Sequence, residues 1–551
     1  MRAINLAVVA DRLRGTRELL QLTLGKVSQD TSIAHDRLEQ IELAGAMPTG
    51  DEILILANYY ARDFRDFIDE SRPTPYAKTD ILFRSNSTDL RADDRRAIQE
   101  FIYLCICEQE LRELMKVEST SFLFRPSPHE MHKVHAVKAA AELRRALGYK
   151  SNEVGLDVYG DFRRLGVHVF RRRLSNPDIS GLYINHPLAG HCVLVNFDED
   201  IYRQRFSACH ELGHSIFDSS SDPAISFQRT SARYDRKDLT EIRANVFASN
   251  FLLPPEILPK GQSWTEEAAV DWAKRLKVST EALSYALLDA KIIDDLNAKR
   301  IRRYRVSGSQ KIDPEAPAGL TDLQKGRRTE LLERGLSDYY VGLCFEAHYS
   351  GAVTMGRLCE LMLATHREVR EISDTCSIWH MLSSDRFNNA AVRAGLKFLM
   401  TQAVLYECFQ KQRSELSQEQ KELHSRLLRE RNRGRFELKT CSIEDLLAVT
   451  ATAPMRLGAG ELSCIAAAYR DGSVALMTDE KLARRHSEER LGLKVETTPK
   501  LYGYLHFKRH LNDSDHFSIV SEHERYERRP LTRFFNEAYE EALRCRLASG
   551  T

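Results

Sequence analysis

The apolar positions of the first 70 residues recur with the spacing of short helices. They predict four helices, at residues 6 to about 21, 24 to about 30, 35–44 and 51–60. Thr23 is a residue type that caps helices, and it precedes the second of them. The glycines and the proline of residues 45–50 would separate the third helix from the fourth. The pattern therefore predicts an all-α head.

The pattern changes to a mixed one in the middle of the chain. Residues 139–148 have helical periodicity, whereas residues 165–170 and 179–184 alternate apolar and polar positions as strands do. A second helical pattern, in residues 241–253, is ended by Pro254. These elements predict a small α+β domain.

The segment His210-Glu211-Leu212-Gly213-His214 joins two histidines and a glutamate at a helical spacing. Residues four apart share a face of a helix, so His210 and His214 can hold one zinc ion. Glu211 would then take a proton from a water molecule and return it, which is the chemistry of peptide-bond hydrolysis. A chain with 18 histidines in 551 residues has this pattern by chance in about one case in twenty, so a third ligand is needed.

Further residues around this motif are similar to a known family. Arg205-Phe206 precedes the motif, and Gly213 lies inside it. The run E-x-x-A-N-x-F-A begins at Glu241 and is followed by Leu252-Leu253-Pro254. Together with the upstream helix and strands, these residues resemble the ImmA/IrrE-type zinc metallopeptidases.

This resemblance implies a zincin-like α+β core and a zinc-dependent endopeptidase activity. It also implies that His210, His214 and Glu241 are the zinc ligands, with Glu211 as general base and then general acid. The alternative is a metal-free relic of the same fold.

The third predicted helix gives the head a resemblance of its own. Residues 36–45, followed by a proline, are similar to the third helix and exit turn of Xre-type repressor heads, which implies a helix-turn-helix domain and a DNA partner. The same helix carries Asp36, Glu39 and Glu42 against a single Arg37, and this is the wrong sign for binding phosphates. A head that docks on a protein or dimerises is therefore the alternative.

Acidic residues interrupt or follow apolar segments at four places in the last third of the chain. Asp374 lies in a strand-like run at 371–382, Glu407 follows an apolar run, Glu461 opens a predicted helix, and Asp479 ends a predicted buried strand. Strands that end in acids and are separated by helices predict a parallel α/β sheet whose carboxyl edge gathers carboxylates.

In this order, the four segments resemble the core of PIN-like domains, Mg²⁺- or Mn²⁺-dependent nucleases that usually act on RNA. Carboxylates are the ligands that these hard ions prefer. An inactive PIN fold, or acids that only cap helices, is the alternative. The metal ligands that the resemblance implies are Asp374, Glu407, Glu461 and Asp479, with Glu480 as an auxiliary ligand.

The charge of the whole chain is balanced, since 80 basic and 79 acidic side chains give a net charge of +1. No global field therefore indicates a nucleic-acid or membrane partner. The arginines of residues 426–435 could contact RNA phosphates, or could lie on a solvated helix. Eleven cysteines without zinc-finger spacing predict reduced thiols, and no apolar stretch reaches about 18 residues. We expect a soluble, cytoplasmic protein.

At 551 residues the chain exceeds the size of a single core, which rarely passes about 300 residues. The predicted fold class is multidomain α+β, with an all-α helix-turn-helix head, a zincin-like α+β metallopeptidase core and a carboxy-terminal α/β PIN-like domain with a parallel sheet. The predicted domains are 1–70 for the head, 71–130 for a helical connector, 131–300 for the peptidase, 301–368 for a linker and helical element, 369–512 for the PIN-like domain and 513–551 for a helical tail.

This combination of domains predicts regulated hydrolysis. A peptidase that cleaves a repressor, an antitoxin or this chain itself could release a ribonuclease during stress or phage infection, in a toxin–antitoxin or antiviral role. Two other functions stay open, a DNA-binding transcription regulator with a sensory or structural zinc site and a PIN-type toxin on an inactive peptidase scaffold. The expected partners are a protein substrate, RNA at the carboxy-terminal domain, DNA at the head and a second copy of the chain, with no membrane.

Overall fold

The computed structural model forms two compact units. The terminal unit contains Met1–Arg72 and Cys344–Thr551, and the central unit contains Pro73–Leu343. The two ends of the chain therefore belong to the same unit. The described residues are 4–72, 82, 90–120, 122–125, 131–218, 224–227, 236–311, 313, 315–316, 320–364, 377–409, 418–451, 457–471, 474–526 and 531–549.

The head of the terminal unit is helical, and its four predicted helices are present with bounds within two residues of the prediction. Thr23 caps the second helix, as predicted, by accepting a hydrogen bond from Lys26 N at 3.2 Å. Thr49 and Glu52 form a reciprocal capping box at the start of the fourth. The helices are α1 Leu6–Leu19, α2 Leu24–Thr31, α3 His35–Glu42, α4 Gly50–Tyr59 and the short α5 Arg65–Ile68.

Helix α4 packs on two sides. Ile53 and Leu56 belong to the apolar core of the head. Leu54 instead packs with Leu446 and Leu462 from the carboxy-terminal part of the same unit. The head and the carboxy-terminal part therefore share α4 as a common core element.

A buried carboxylate fixes this packing. Asp51 is 0% exposed and accepts hydrogen bonds from Cys441 N at 2.7 Å and Ala403 N at 3.2 Å. Beside it, Gly50 N donates to Cys441 O at 2.9 Å. A Cβ at Gly50 would lie 2.7 Å from Ser442 O, so the two backbones approach at a distance that glycine permits. Burial raises the pKa of Asp51, although its two hydrogen bonds oppose the shift.

We expect Asp51→Ala to destabilise the terminal unit by roughly 2–5 kcal/mol, because it leaves two buried N–H groups without an acceptor. Hydrogen exchange of the full chain provides the local measurement, with faster exchange expected at the amides of Cys441 and Ala403. The control is Asp36→Ala, because the Asp36 side chain is 96% exposed. Equal protection of both amides in the two variants would contradict this role for Asp51.

The central unit combines a small sheet with surrounding helices. The strands are β1 His168–Arg172, β2 Ile179–His186, β3 Gly190–Asn196 and β4 Ala224–Phe227. The helices are α6 Ala92–Leu114, α7 His132–Ala146, α8 Val158–Arg164, α9 Ile201–Phe217, α10 Arg236–Leu252, α11 Glu266–Leu276, α12 Thr280–Asp289, α13 Asp295–Ile301 and α14 Asp322–Glu333, with 3₁₀ turns at Pro255–Ile257 and Gly308–Gln310. Helix α15 Asp338–Tyr349 begins in the central unit, and its residues from Cys344 onward belong to the terminal unit.

The sheet has the strand order β1-β3-β2-β4. Strand β1 is parallel to β3, and β2 is antiparallel to both β3 and β4. Val169, Val193 and Val195 belong to the core that also contains Ala208 and Leu212 of α9. The two predicted strand segments correspond to β1 and β2, and the sheet supports the helix that carries the two motif histidines.

Elements on both sides of residues 131–300 also belong to the central unit. Helix α6 lies against β1 and β3, and the rings of Phe101 and Phe170 meet edge to face with centroids 6.0 Å apart. The buried Arg171 of β1 pairs with Asp313 at 3.0 Å. These contacts extend the core of the central unit beyond the predicted peptidase segment.

The carboxy-terminal part of the terminal unit contains two pairs of short parallel strands among helices. The strands are β5 Phe398–Thr401, β6 Phe436–Lys439, β7 Leu476–Met477 and β8 Val495–Glu496, paired as β5 with β6 and β7 with β8. The helices are α16 Met355–Leu361, α17 Ser377–Leu382, α18 Asp385–Arg393, α19 Gln402–Phe409, α20 Gln418–Asn432, α21 Ile443–Thr450, α22 Ala459–Arg470, α23 Lys481–Glu489, α24 Thr498–Phe507, α25 Asp513–Tyr526 and α26 Thr532–Ser549.

The prediction of a strand-like run at 371–382 is wrong for its last six residues, which form α17. Trp379, Met381 and Leu382 are all buried in this helix. A short apolar run of this kind has no periodicity that separates a strand from a helix. The predicted ligand Asp374 lies outside the described residues. The described strands of this region are parallel, as predicted, but they form two separate two-stranded sheets and not the single sheet that was predicted.

Two other expectations concern thiols and membranes. The described cysteines are all free thiols, and most of them are buried. Within the part of the chain that the structure describes, no helix combines the length and the apolar character needed to cross a bilayer.

Candidate metal centre

The two motif histidines lie on one face of α9, one turn apart. Their Nε2 atoms are 3.1 Å apart, and their rings meet at 75°. The side chain of His210 is 9% exposed and that of His214 is 12% exposed. Asp200 caps the start of α9, because its side chain accepts a hydrogen bond from Tyr202 N at 3.0 Å. The helical spacing thus brings the two nitrogens together as predicted.

Glu241 of α10 completes the group. Its Oε2 lies 3.1 Å from His210 Nε2, and its Oε1 lies 3.4 Å from His214 Nε2. Tetrahedral zinc with bonds of about 2.0–2.1 Å holds neighbouring ligand atoms about 3.3 Å apart, so the three side chains fit this ion. Among the described residues, no other three His, Cys, Asp or Glu side chains bring ligand atoms within 4.8 Å of one another.

The side chains of His210, His214 and Glu241 differ in how much of their surface is exposed to solvent. The Glu241 side chain is 44% exposed, whereas both histidines are nearly buried. Three protein ligands with one open side are typical of catalytic zinc sites, since structural sites use four protein ligands. The geometry therefore favours a site that solvent or a substrate can reach.

Glycine at position 213 allows α9 and α10 to approach closely. A Cβ at Gly213 would lie 3.1 Å from Ala244 Cα and 3.3 Å from Phe247 Cδ1. Both atoms belong to the helix that carries Glu241. A larger residue at 213 would separate the helices and move the third ligand away from the histidines.

The outer nitrogens of both histidines have hydrogen-bond partners. His210 Nδ1 lies 3.0 Å from Asn245 Oδ1, and His214 Nδ1 lies 3.1 Å from Asp218 Oδ2. Such contacts require Nδ1 to carry the proton, which leaves Nε2 of a neutral ring as the lone-pair nitrogen. Both rings therefore present Nε2 toward Glu241.

The carboxylates of Asp218 and Glu241 stabilise a positive charge on His214. Burial opposes a charge on His214, but hydrogen bonds with Asp218 and Glu241 raise the pKa of His214 to about 10. Burial also opposes a charge on Glu241, yet the two histidines hold the pKa of Glu241 well below its usual range. A metal ion that binds here must compete with a proton on His214.

Glu211 lies on the neighbouring face of α9, toward β2. The residue is 1% exposed. A Cβ at Gly181 of β2 would lie 3.1 Å from Glu211 Oε1 and 2.8 Å from Leu194 O. The strand can therefore pass close to the carboxylate only because position 181 has no side chain.

The segment that contains the candidate metal centre is similar to a known family. Residues 162–288 match the peptidase M78 family model, described as an IrrE N-terminal-like domain. No curated protein matches the chain. The matched segment, which contains both histidines and Glu241, is similar to a metallopeptidase family that is typically zinc-dependent. The predicted ImmA/IrrE resemblance is confirmed for this segment, whereas the helix-turn-helix and PIN-like resemblances stay predictions.

Asp479, one of the acids predicted to bind Mg²⁺ or Mn²⁺, has protein hydrogen-bond donors around both oxygens. Oδ2 accepts from Ser377 Oγ at 2.8 Å and from Thr498 Oγ1 at 2.6 Å, and lies 3.0 Å from His380 Nδ1. Oδ1 accepts from Thr498 N at 2.8 Å. Burial opposes the charge, but His380 and Thr498 lower the pKa of Asp479. These contacts join α17 to the start of α24.

The other described acids of that predicted site surround the start of α22. Gly460 N donates to Glu407 Oε1 at 2.9 Å, and Gly458 N donates to Glu461 Oε2 at 2.8 Å. Burial, followed by the charges of Glu480 and Glu407, raises the pKa of Glu461 well above its usual range. Glu480 and Glu407 therefore lie near enough to Glu461 to affect its charge, but the three side chains do not bring ligand atoms within 4.8 Å of one another.

The arginines predicted to contact RNA pair largely within the protein. Glu430 of α20 is 1% exposed and binds Arg433 at 2.9 Å, Arg429 at 3.3 Å and also Arg435. Arg426 donates to Leu382 O at 2.9 Å. These contacts favour the alternative, in which neighbouring acids neutralise the basic helix.

The head shows a similar pairing around α3. Arg37 binds Glu52 at 2.8 Å, and Arg17 binds Glu42 at 2.7 Å. Asp36 and Glu39 are exposed on the same helix. The surface that a helix-turn-helix protein would turn to DNA is therefore acidic here, which favours the protein-docking alternative. DNA binding stays a prediction.

Three residues of the site were not identified from the sequence. They are Asn245 and Asp218, which contact the two histidines, and Gly181, which lies beside Glu211. Asp218 stands four residues after His214, and Asn245 stands four residues after Glu241, so each shares a helix-face position with a ligand. This spacing was a usable signal for both. Gly181 had no such signal, because its closeness to Glu211 arises from the packing of β2 on α9.

We expect the purified full chain to bind about one zinc ion and His214→Ala or Glu241→Ala to weaken that binding strongly, since each variant removes one of three ligands. Affinity should fall by about tenfold for each unit of pH lowered from 8 to 6, because one proton on His214 competes with the metal. Competition with a chromophoric chelator measures both effects. Glu266→Ala, at an exposed residue of α11, is the control. Affinity that is independent of pH and of His214 would contradict this site.

Proposed function

We propose that the chain is a zinc-dependent endopeptidase. The match at residues 162–288 supports a zincin-like metallopeptidase or a related regulator. One observation supports the endopeptidase in particular. His210 Nε2, His214 Nε2 and the carboxylate oxygens of Glu241 lie 3.1–3.4 Å from one another, and one side of this group is open. His210, His214 and Glu241 would hold the zinc.

When bound, zinc would acidify a water molecule and polarise the scissile carbonyl. Glu211 takes a proton from the attacking water and then donates it to the leaving amine. Its position between α9 and Gly181 of β2 restricts the motion of the carboxylate. Asn245 and Asp218 keep the two imidazole rings oriented through Nδ1.

The substrate that we propose is a regulatory protein, either a repressor, an antitoxin or this chain itself. This part of the proposal is supported by the family similarity of the central unit and by its place in a chain with a helical head and a second acidic cluster. The setting would be a stress response, a toxin–antitoxin pair or phage defence. A transcription regulator that uses the zinc only for sensing or stability is the alternative, and it predicts zinc binding without cleavage.

Glu211→Gln tests the proposed chemistry directly. The variant keeps the size of the side chain and all three ligands, so zinc content should stay unchanged while cleavage falls by about 10²–10⁴-fold. Mass spectrometry of new protein amino termini, in cells that express the wild type or the variant, provides the measurement. Glu266→Gln, at an exposed residue of α11, should behave as the wild type. Identical sets of new termini in the wild type and Glu211→Gln would reject the peptidase.

A metal-dependent ribonuclease in the carboxy-terminal part is a second candidate function. The observation that favours it is the placement of Glu407 and Glu461 at the start of α22, where each accepts a hydrogen bond from a backbone N–H. Burial, and after it the charges of Glu480 and Glu407, raises the pKa of Glu461. A divalent cation would relieve this repulsion, and carboxylates suit Mg²⁺ or Mn²⁺. We propose that activation of this nuclease depends on the peptidase. Unchanged nuclease output with Glu211→Gln would then separate the two activities.

For the nuclease, we expect Mn²⁺-dependent cleavage of single-stranded RNA by the full chain and its loss with Glu461→Gln, because glutamine cannot supply a carboxylate ligand to the metal. A gel assay of labelled RNA with and without EDTA measures this. The control is Glu444→Gln, which changes an exposed residue of the neighbouring α21. RNA cleavage that is absent, or equally fast in the presence of EDTA, would remove this second function.

A further inference from the structure

An ion pair joins the end of α9 to the helix of the third ligand. Asp218 directly follows α9, and its Oδ2 lies 3.1 Å from His214 Nδ1. The other oxygen, Oδ1, accepts a hydrogen bond from Arg243 Nη2. One carboxylate thus contacts both a zinc-ligand histidine and the helix that carries Glu241.

Arg243 is held in place from several sides. It stands two residues after Glu241 on α10, and its side chain is 10% exposed. Its guanidinium carbon lies 4.6 Å from the centre of the Phe217 ring, and Nη1 lies 3.4 Å from His132 Nδ1. An arginine held against a ring and a carboxylate has little freedom, so it can fix the position of its own helix.

The two histidines are supported differently. His210 has the neutral amide of Asn245 at its Nδ1, whereas His214 has the charged carboxylate of Asp218. The Asp218 side chain is only 16% exposed, and a charge at such a position needs a partner. Arg243 is that partner, so the carboxylate can stay ionised beside His214 and face its Nδ1–H.

We propose that Asp218 and Arg243 act together as positioning residues, which orient the His214 ring and hold α10 so that Glu241 meets the two histidines. This inference rests on the proposed zinc function. The pair touches neither substrate nor metal. It acts through His214 on one side and through the first turns of α10 on the other. Partners of this kind typically contribute 10–100-fold to metal affinity.

The test is a double-mutant cycle on zinc affinity in the full chain, measured by chelator competition with Asp218→Ala, Arg243→Met and the double variant. We expect each single variant to weaken zinc binding about 10–100-fold. The double variant should be weakened much less than the product of the two single losses, because the first substitution already breaks the pair. The control cycle is Asp271→Ala with Arg275→Met, an exposed ion pair of α11 at 2.8 Å, which should leave the affinity unchanged.

Two further measurements separate positioning from folding. The electronic absorption of the Co²⁺-loaded variants reports ligand geometry, and we expect its bands to shift in Asp218→Ala at unchanged helix content by circular dichroism. Asp218→Asn is the conservative variant, since its amide oxygen can still accept from His214 Nδ1 but loses the ion pair with Arg243. It should recover part of the affinity lost by Asp218→Ala.

The outcomes distinguish this inference from the function on which it rests. Wild-type zinc affinity in Asp218→Ala, or losses that multiply fully in the double variant, would overturn the joint role while His214→Ala still abolishes binding and the proposed site stands. If the wild-type chain binds no zinc, both the proposed function and this inference fail.

Discussion

The metal centre depends on how closely two helices can approach each other. Helix α9 supplies His210 and His214, and α10 supplies Glu241. The helices meet at Gly213, where a Cβ would lie 3.1 Å from Ala244 Cα. Because interiors are close-packed, a side chain there would push α10 outward and break the 3.1–3.4 Å spacing of the ligand atoms. Gly213 thus connects the packing of the central unit to its chemistry.

The rest of the central unit keeps α9 fixed. Arg205, 1% exposed on the same helix, donates to Lys277 O at 2.5 Å and also to Gly155 O. These bonds tie the helix to the loops before α8 and before α12. On its other side, α9 lies on β2 and β3. A rigid helix makes the one-turn spacing of the histidines reliable as a ligand arrangement.

The parts of the site that follow local periodicity could be predicted from the sequence. The zinc ligands depend on helical spacing and on a run of residues similar to a family, and the structure places all three together. The contact of Arg243 with Asp218 requires two helices to cross, which a linear pattern does not contain. The role of Asp479 as a metal ligand, which the PIN-like resemblance implies, stays a prediction, and the bonds of its oxygens to Ser377 and Thr498 were not predictable from a linear pattern.

The packing of the head against the carboxy-terminal part could not be predicted from the sequence either. The four helices were predictable because their apolar faces repeat locally. The burial of Asp51 under Cys441 joins residues 390 positions apart, and nothing near Asp51 in the sequence indicates that partner.

We propose that two imidazoles and one carboxylate hold a zinc ion in the central unit. X-ray absorption at the zinc edge of the purified full chain measures this most directly, because it gives ligand types and bond lengths. We expect nitrogen and oxygen ligands at about 2.0–2.1 Å with an imidazole scattering pattern from two histidines. Sulfur ligands at about 2.3 Å, or a spectrum without imidazole scattering, would contradict it.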